Sequence, residues 1–180
     1  FISGGFQIMS INLRDVSSKN DFINRIKEYV QHISPGQWVQ GGDWDHEMWG
    51  GVLPTKEWID SFTADIPVFL GRLDGHMALA NSKALELAGI TSKTPNPPGG
   101  LIAKNKNGTP TGILRDEAME LISPFIPENS PEELDTALQK AMSYAASIGV
   151  TQIHDMCSWE DLQTYARNKE KLTLRIYALP

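Results

Sequence analysis

Three short polar runs carry the side-chain types that hydrolytic and metal-assisted chemistry uses. The first is Arg72-Leu-Asp-Gly-His76, followed by Asn81. His76 could bind or polarise a substrate, and Gly75 would let backbone approach a ligand closely. The same imidazole could equally be a hydrogen-bonded loop residue. Arg72 and Asp74 alternate and should share one face of an extended strand end, as substrate contacts or as a plain ion pair. The second run is Asp116-Glu117, where either carboxylate could bind a metal or shuttle a proton. Acidic residues that open a helix also complement its dipole whatever the function. The third is His154-Asp155, an imidazole that could ligate a metal or orient a substrate with Asp155 fixing its tautomer, or else an exposed loop pair. Trp44, His46 and Trp49 could wall an apolar pocket or pack back on the domain. His32 suits a helix C-terminus, and Cys157 has no base beside it in the sequence. No His-x-His, no HExxH and no glycine-rich phosphate loop occurs, so the chain has no complete metal motif.

Positioning these groups requires strands that end in loops. Residues 66–72 form a short β-prone run, and Ala84, Leu85 and Ala88 share one face of a helix over 80–88 that Gly89 closes. Asp74, His76 and Asn81 are thereby expected at the carboxyl end of a strand, where α/β enzymes keep their chemistry. An earlier helix follows residues 17–21, with Phe22, Ile23, Ile26, Tyr29 and Val30 at buried spacing. Residues 38–42 read as a strand running into a glycine turn, residues 43–49 as a loop, and Thr55 as the N-cap of a short helix. Residues 101–104 and 110–114 flank Asn107-Gly108, a two-residue hairpin signal, and lead to an expected helix over 116–122. Ser130-Pro131 opens a further helix with Leu134, Leu138, Ala141, Met142 and Ala145 facing inward. Residues 150–153 are a strand with His154-Asp155 at its end, then a helix opens near Ser158 and residues 172–179 form a last strand. The alternation predicts an α/β fold of parallel βα units with one inserted β-hairpin.

The chain has 180 residues, a formal charge of -6 and one cysteine. Its composition is that of a folded globular domain, and no Lys/Arg block is dense enough to track a phosphate backbone, so nucleic acid is excluded as a partner. One cysteine forbids an internal disulfide and fits a reducing, cytoplasmic setting. No apolar run reaches the length of a membrane span, so no membrane partner is expected. The start at Phe1 and the stop after a strand-like run read as the ends of a piece of a larger enzyme.

Taken in order, Gly41-Gly-Asp-Trp44, Pro67-Val, Arg72-Leu-Asp-Gly-His76, Asn81-Ser-Lys-Ala-Leu85, Pro98-Gly-Gly100, Gly108-Thr-Pro-Thr-Gly-Ile-Leu114 with Ala118, and Gly149-Val-Thr151 with His154-Asp155 resemble the YtcJ-like branch of the metal-dependent amidohydrolases. The resemblance runs from Phe1 to Pro180 as a single piece of the catalytic domain. It implies part of a TIM-like (β/α)8 barrel, with a divalent metal, usually zinc, in the full-length parent and none bound by this piece alone. It implies hydrolysis of C–N bonds in a small amide or formamide by metal-activated water. It puts the His-x-His before Phe1 and the remaining histidines and catalytic aspartate beyond Pro180. By resemblance, His76 and Asp116 are catalytic, Asp116 falls where many relatives have a metal-bridging Glu, and Glu117 is its alternative. Trp44, Arg72, Asp74, Asn81 and His154 are the implied substrate contacts. The isolated chain is then expected to be inactive. A non-catalytic binding or signalling module is the competing reading, and a piece with open barrel edges could also pair with a second copy.

Overall fold

The computed structural model describes residues 1–180, which divide into two compact units. The first unit comprises Phe1–Met9 and Glu128–Pro180, and the second is Ser10–Pro127.

In the second unit, β1 (Ile11–Asn12), β2 (Gly41–Trp44), β3 (Phe69–Arg72), β4 (Met77–Ala80), β5 (Gly100–Lys104) and β6 (Pro110–Asp116) form one sheet in the order β1-β2-β3-β4-β6-β5. The β1-β2-β3 side is parallel and the β3-β4-β6-β5 side antiparallel. Helix α2 (Lys19–Val30) starts where Ser18 accepts the Asp21 N–H, and it buries Phe22, Ile26 and Val30. Those side chains join Leu13, Trp44, Ile59, Val68, Leu70 and Leu79 in one apolar cluster. A second cluster sits around α3 (Ser82–Leu87) and the β5–β6 hairpin, built on Ala84, Leu85, Ile102, Leu114, Ala118 and Ile122.

The strand-to-helix junction expected at residues 72–81 is instead a β-hairpin: β3 pairs antiparallel with β4, and Leu73 to His76 form its tip. Residues 77–80 are short, apolar and buried throughout, a pattern that suits a central strand as well as a helix start. The expected helix over 116–122 is also absent. Pairing with β4 and β5 carries strand β6 on to Asp116, and two 3-10 turns follow at Met119–Leu121 and Ser123–Phe125. Thr55 precedes only a 3-10 turn, Lys56–Trp58, and makes no side-chain cap. The hairpin around Asn107-Gly108 forms, but its loop is longer than two residues. Asn105 receives the Gly108 N–H, and its side chain accepts from Asn107 and Thr109.

In the first unit, α1 (Ile2–Met9), which the residue pattern does not announce, packs on α4 (Pro131–Ser147). The approach is close enough that a Cβ on Gly5 would stand 1.9 Å from the Ala137 carbonyl oxygen. Helix α4 begins as expected, with a reciprocal capping box between Ser130 and Glu133. The parallel pair β7 (Gln152–Met156) and β8 (Arg175–Leu179) flanks α5 (Trp159–Arg167), which Ser158 caps. Ile2, Leu134, Leu138, Met142, Tyr165 and Leu174 fill this unit's core. No helix is long and apolar enough to cross a membrane.

Candidate active site

The β3–β4 hairpin tip is held by charge. Gly75, at φ 75°, lets the chain reverse so that its N–H reaches the Arg72 carbonyl at 3.0 Å. Asp74 accepts the His76 N–H at 3.1 Å and pairs with the Arg72 guanidinium, the ion-pair alternative of the two that alternation left open. Arg72 also donates to Asp45 at 2.9 Å. Asp45 in turn caps the 3-10 turn His46–Trp49 by accepting the Glu47 N–H. Burial by itself would raise both carboxyls. For Asp45 the Arg72 and Glu47 donors outweigh it, for Asp74 the His76 N–H and Arg72 do, and both sit below the ordinary carboxylate value. Sequence reasoning passed over Asp45; its signal was an Asp at an N-cap position just after a strand.

The β4–β6 register sets the next pair. Met77 faces Arg115, so one step further out His76 faces Asp116, and the Asp116 N–H donates to the His76 carbonyl at 3.1 Å. The His76 Nδ1 and Asp116 Oδ1 atoms are 3.0 Å apart on an exposed surface. Asp116 takes φ 47°, the left-handed region that L side chains seldom occupy. Strain of this kind concentrates at functional positions. With the proton on Nδ1 donated to Asp116, Nε2 is left as the free lone pair.

Other predicted contacts go elsewhere. Trp44 is fully buried, and its indole N–H donates to the Leu70 carbonyl at 2.8 Å. It is a core residue rather than a pocket wall, because it ends strand β2 instead of lying in a loop. Trp49 packs on Phe22 at 5.4 Å between ring centroids, and the His46 ring meets Trp44 edge-on. Asn81 is buried with both polar atoms engaged: Oδ1 accepts the Val68 and Ala84 N–H groups, and Nδ2 donates to Thr63 and Ile66. It joins a strand to the cap of α3 and has no group left for a substrate. Glu117 is exposed beside Gly99.

His154 and Asp155 lie within β7, in the first unit, rather than beyond its end. Alternation turns them to opposite faces. His154 is exposed with its ring 5.1 Å from that of Tyr177, whereas Asp155 accepts the Tyr165 hydroxyl at 2.6 Å and meets the Phe1 nitrogen at 2.7 Å. Asp155 therefore does not set the His154 tautomer. Burial and the Asp155 carboxylate push the Tyr165 hydroxyl far up, so it stays a donor. No group of three or more His, Cys, Asp or Glu side chains converges to hold a metal ion. Asp116 with His76 falls short of the three or four ligands that zinc takes, so these residues do not by themselves make a metal site.

The mixed α/β fold is shared with solved metal-dependent hydrolases. A solved metal-dependent hydrolase of uncharacterised function from Pyrococcus horikoshii superposes with a TM-score of 0.69 at 25% identity, over 98% of this chain and 34% of that one. The chain belongs to the amidohydrolase family, whose model matches residues 1–178. Among its relatives are Protein LONG AFTER FAR-RED 3 of Arabidopsis thaliana, 43% identical over 97% of this chain and 32% of that protein, and the putative amidohydrolase YtcJ of Bacillus subtilis, 34% identical over 91% and 30%. The N-substituted formamide deformylase of Arthrobacter pascens is 30% identical over 84% and 29%. The chain thus spans about a third of the length of the curated relatives it matches.

Proposed function

We propose that these residues are part of the catalytic domain of a hydrolase that cleaves carbon–nitrogen bonds other than peptide bonds, in small amides or formamides. The observation that carries this reading is the His76–Asp116 pair, set by strand register and by a strained Asp116 in a chain of amidohydrolase membership. Held through Nδ1, His76 can take at Nε2 the proton of the water that attacks the carbonyl carbon while Asp116 stabilises the imidazolium, and it can return that proton to the amine that departs as the C–N bond breaks. Arg72 and Asp74 fix the hairpin that presents the ring, so their part is orientation. The name of the formamide deformylase supports the choice of bond.

For the whole protein we propose a (β/α)8 barrel of which this chain is a part, and a divalent metal, zinc by resemblance, that needs ligands beyond Asp116 and His76. A cytoplasmic setting, a small-molecule partner and self-association complete the reading. The test is turnover of N-substituted formamides and simple amides by the full-length protein. His76→Ala and Asp116→Asn should each lower kcat/KM by on the order of 100-fold or more. Variants that keep wild-type rates would remove the pair from the chemistry. A full-length protein that hydrolyses no member of the panel would favour a non-catalytic binding module.

A further inference from the structure

The Pro97-Pro98-Gly99-Gly100 run has no part in the site described above, yet it lies against the catalytic candidate. Gly100 is the ladder partner of Asp116 in the β5–β6 hairpin. Its own φ is outside the left-handed region, so the backbone at residue 100 does not itself call for glycine. The space around it does. A Cβ there would stand 2.2 Å from the Ala118 nitrogen, 2.8 Å from the Glu117 carbonyl carbon and 2.9 Å from the Pro97 Cγ. Two of those three neighbours are backbone atoms and cannot rotate away.

What crosses over Gly100 is the turn that begins at Asp116. The Ala118 N–H closes it on the Arg115 carbonyl at 3.0 Å. The fully buried Ala118 side chain anchors it in the cluster of Ile102, Leu114 and Ile122, so the turn cannot lift off residue 100 without leaving the core. Asp116 enters that turn at φ 47°, and its carboxylate meets His76 from there.

We propose that Gly100 is a positioning residue for the His76–Asp116 pair: the missing side chain at 100 lets residues 116–118 turn across β5 and aim the Asp116 carboxylate at the His76 ring. Its consequence for catalysis rests on the hydrolase reading, but the geometry can be tested without turnover.

The experiment is NMR on the 180-residue chain with Gly100→Ala, which changes space and leaves an allowed φ. Gly108→Ala, at the far hairpin loop with nothing near its Cβ site, is the control. Expected for Gly100→Ala are an Asp116 Cα/Cβ shift pattern that leaves the left-handed signature and a His76 ring that loses its Nδ1–H tautomer preference. The Ala118 amide should also exchange on the order of tenfold faster or more. A folded Gly100→Ala chain with all three signals unchanged overturns the proposal. If Gly100→Ala does not fold, adding Asp116→Gly frees the turn to reroute and should restore folding; a double variant that is no better folded also overturns it. Retained geometry beside lost turnover in the full-length His76→Ala enzyme would reject Gly100's role while keeping the hydrolase reading, and the converse pattern would do the reverse.

Discussion

Two residues show how much one side chain's surroundings decide. Asp116 stands in a left-handed conformation in which a Cβ is crowded by its own carbonyl. Glycine has no such conflict, so Asp116→Ala should be less stable than Asp116→Gly by about 1 kcal/mol in urea titration, although both lose the contact to His76. Equal stabilities would mean the left-handed geometry is not populated in solution. Asn81 is the opposite case, a predicted substrate contact that proves structural. Its removal strands the Val68 and Ala84 N–H groups and takes a donor from the Ile66 carbonyl. We expect Asn81→Ala to cost about 2–4 kcal/mol by the same measurement, and a change under 1 kcal/mol would contradict the bonding described. The sequence put Asn81 in demand as a polar residue at a strand end and, by resemblance, as a substrate contact. It could not say that the demand was internal, because that depends on Thr63 and Ile66, remote in sequence and brought in by the fold.

At the scale of elements, the hairpin of β3 and β4 joins the 3-10 turn at 46–49 through Arg72, which bridges Asp45 and Asp74. Both carboxyls titrate lower in the folded chain than when unfolded. Their contribution is therefore complete above the ordinary carboxylate value near pH 4 and is lost as pH falls through the lower folded values. Urea midpoints should drop between about pH 5 and pH 2.5, and Arg72→Gln should flatten that drop. An unchanged acid slope in the variant would show that the guanidinium does not hold the two acids. Arg72 and Asp74 were readable as neighbours from alternation alone, whereas Asp45 was not, because it reaches Arg72 only after β2 and β3 pair in parallel. The same limit explains the helix expected at 116–122. Its local residues tolerate a helix, but β4 and β5 hold β6 extended as far as Arg115 and Asp116, and the segment beyond makes only 3-10 turns.

For the whole molecule, the continuous unit Ser10–Pro127 owns two apolar clusters and four of the five tryptophans, with Trp44 fully buried and Trp159 of the other unit exposed. A protein comprising residues 10–127 should accordingly fold alone, with buried-type tryptophan emission and a cooperative urea transition. Broad, water-exposed emission would show that the unit depends on the rest. The sequence by itself determined the amidohydrolase membership, the capped helices α2, α4 and α5, the hairpin around Gly108 and the shared face of Arg72 and Asp74. Each is written in local spacing, in cap residues or in ordered motifs that need no distant partner. Only the tertiary structure decided that residues 77–80 are a strand, that Trp44 and Asn81 are interior, that His154 and Asp155 part to opposite faces, and that Asp116 meets His76 over Gly100. Those outcomes turn on strand register and on backbone packing between segments far apart in the chain, and a one-residue change of register would reverse which side chains face each other.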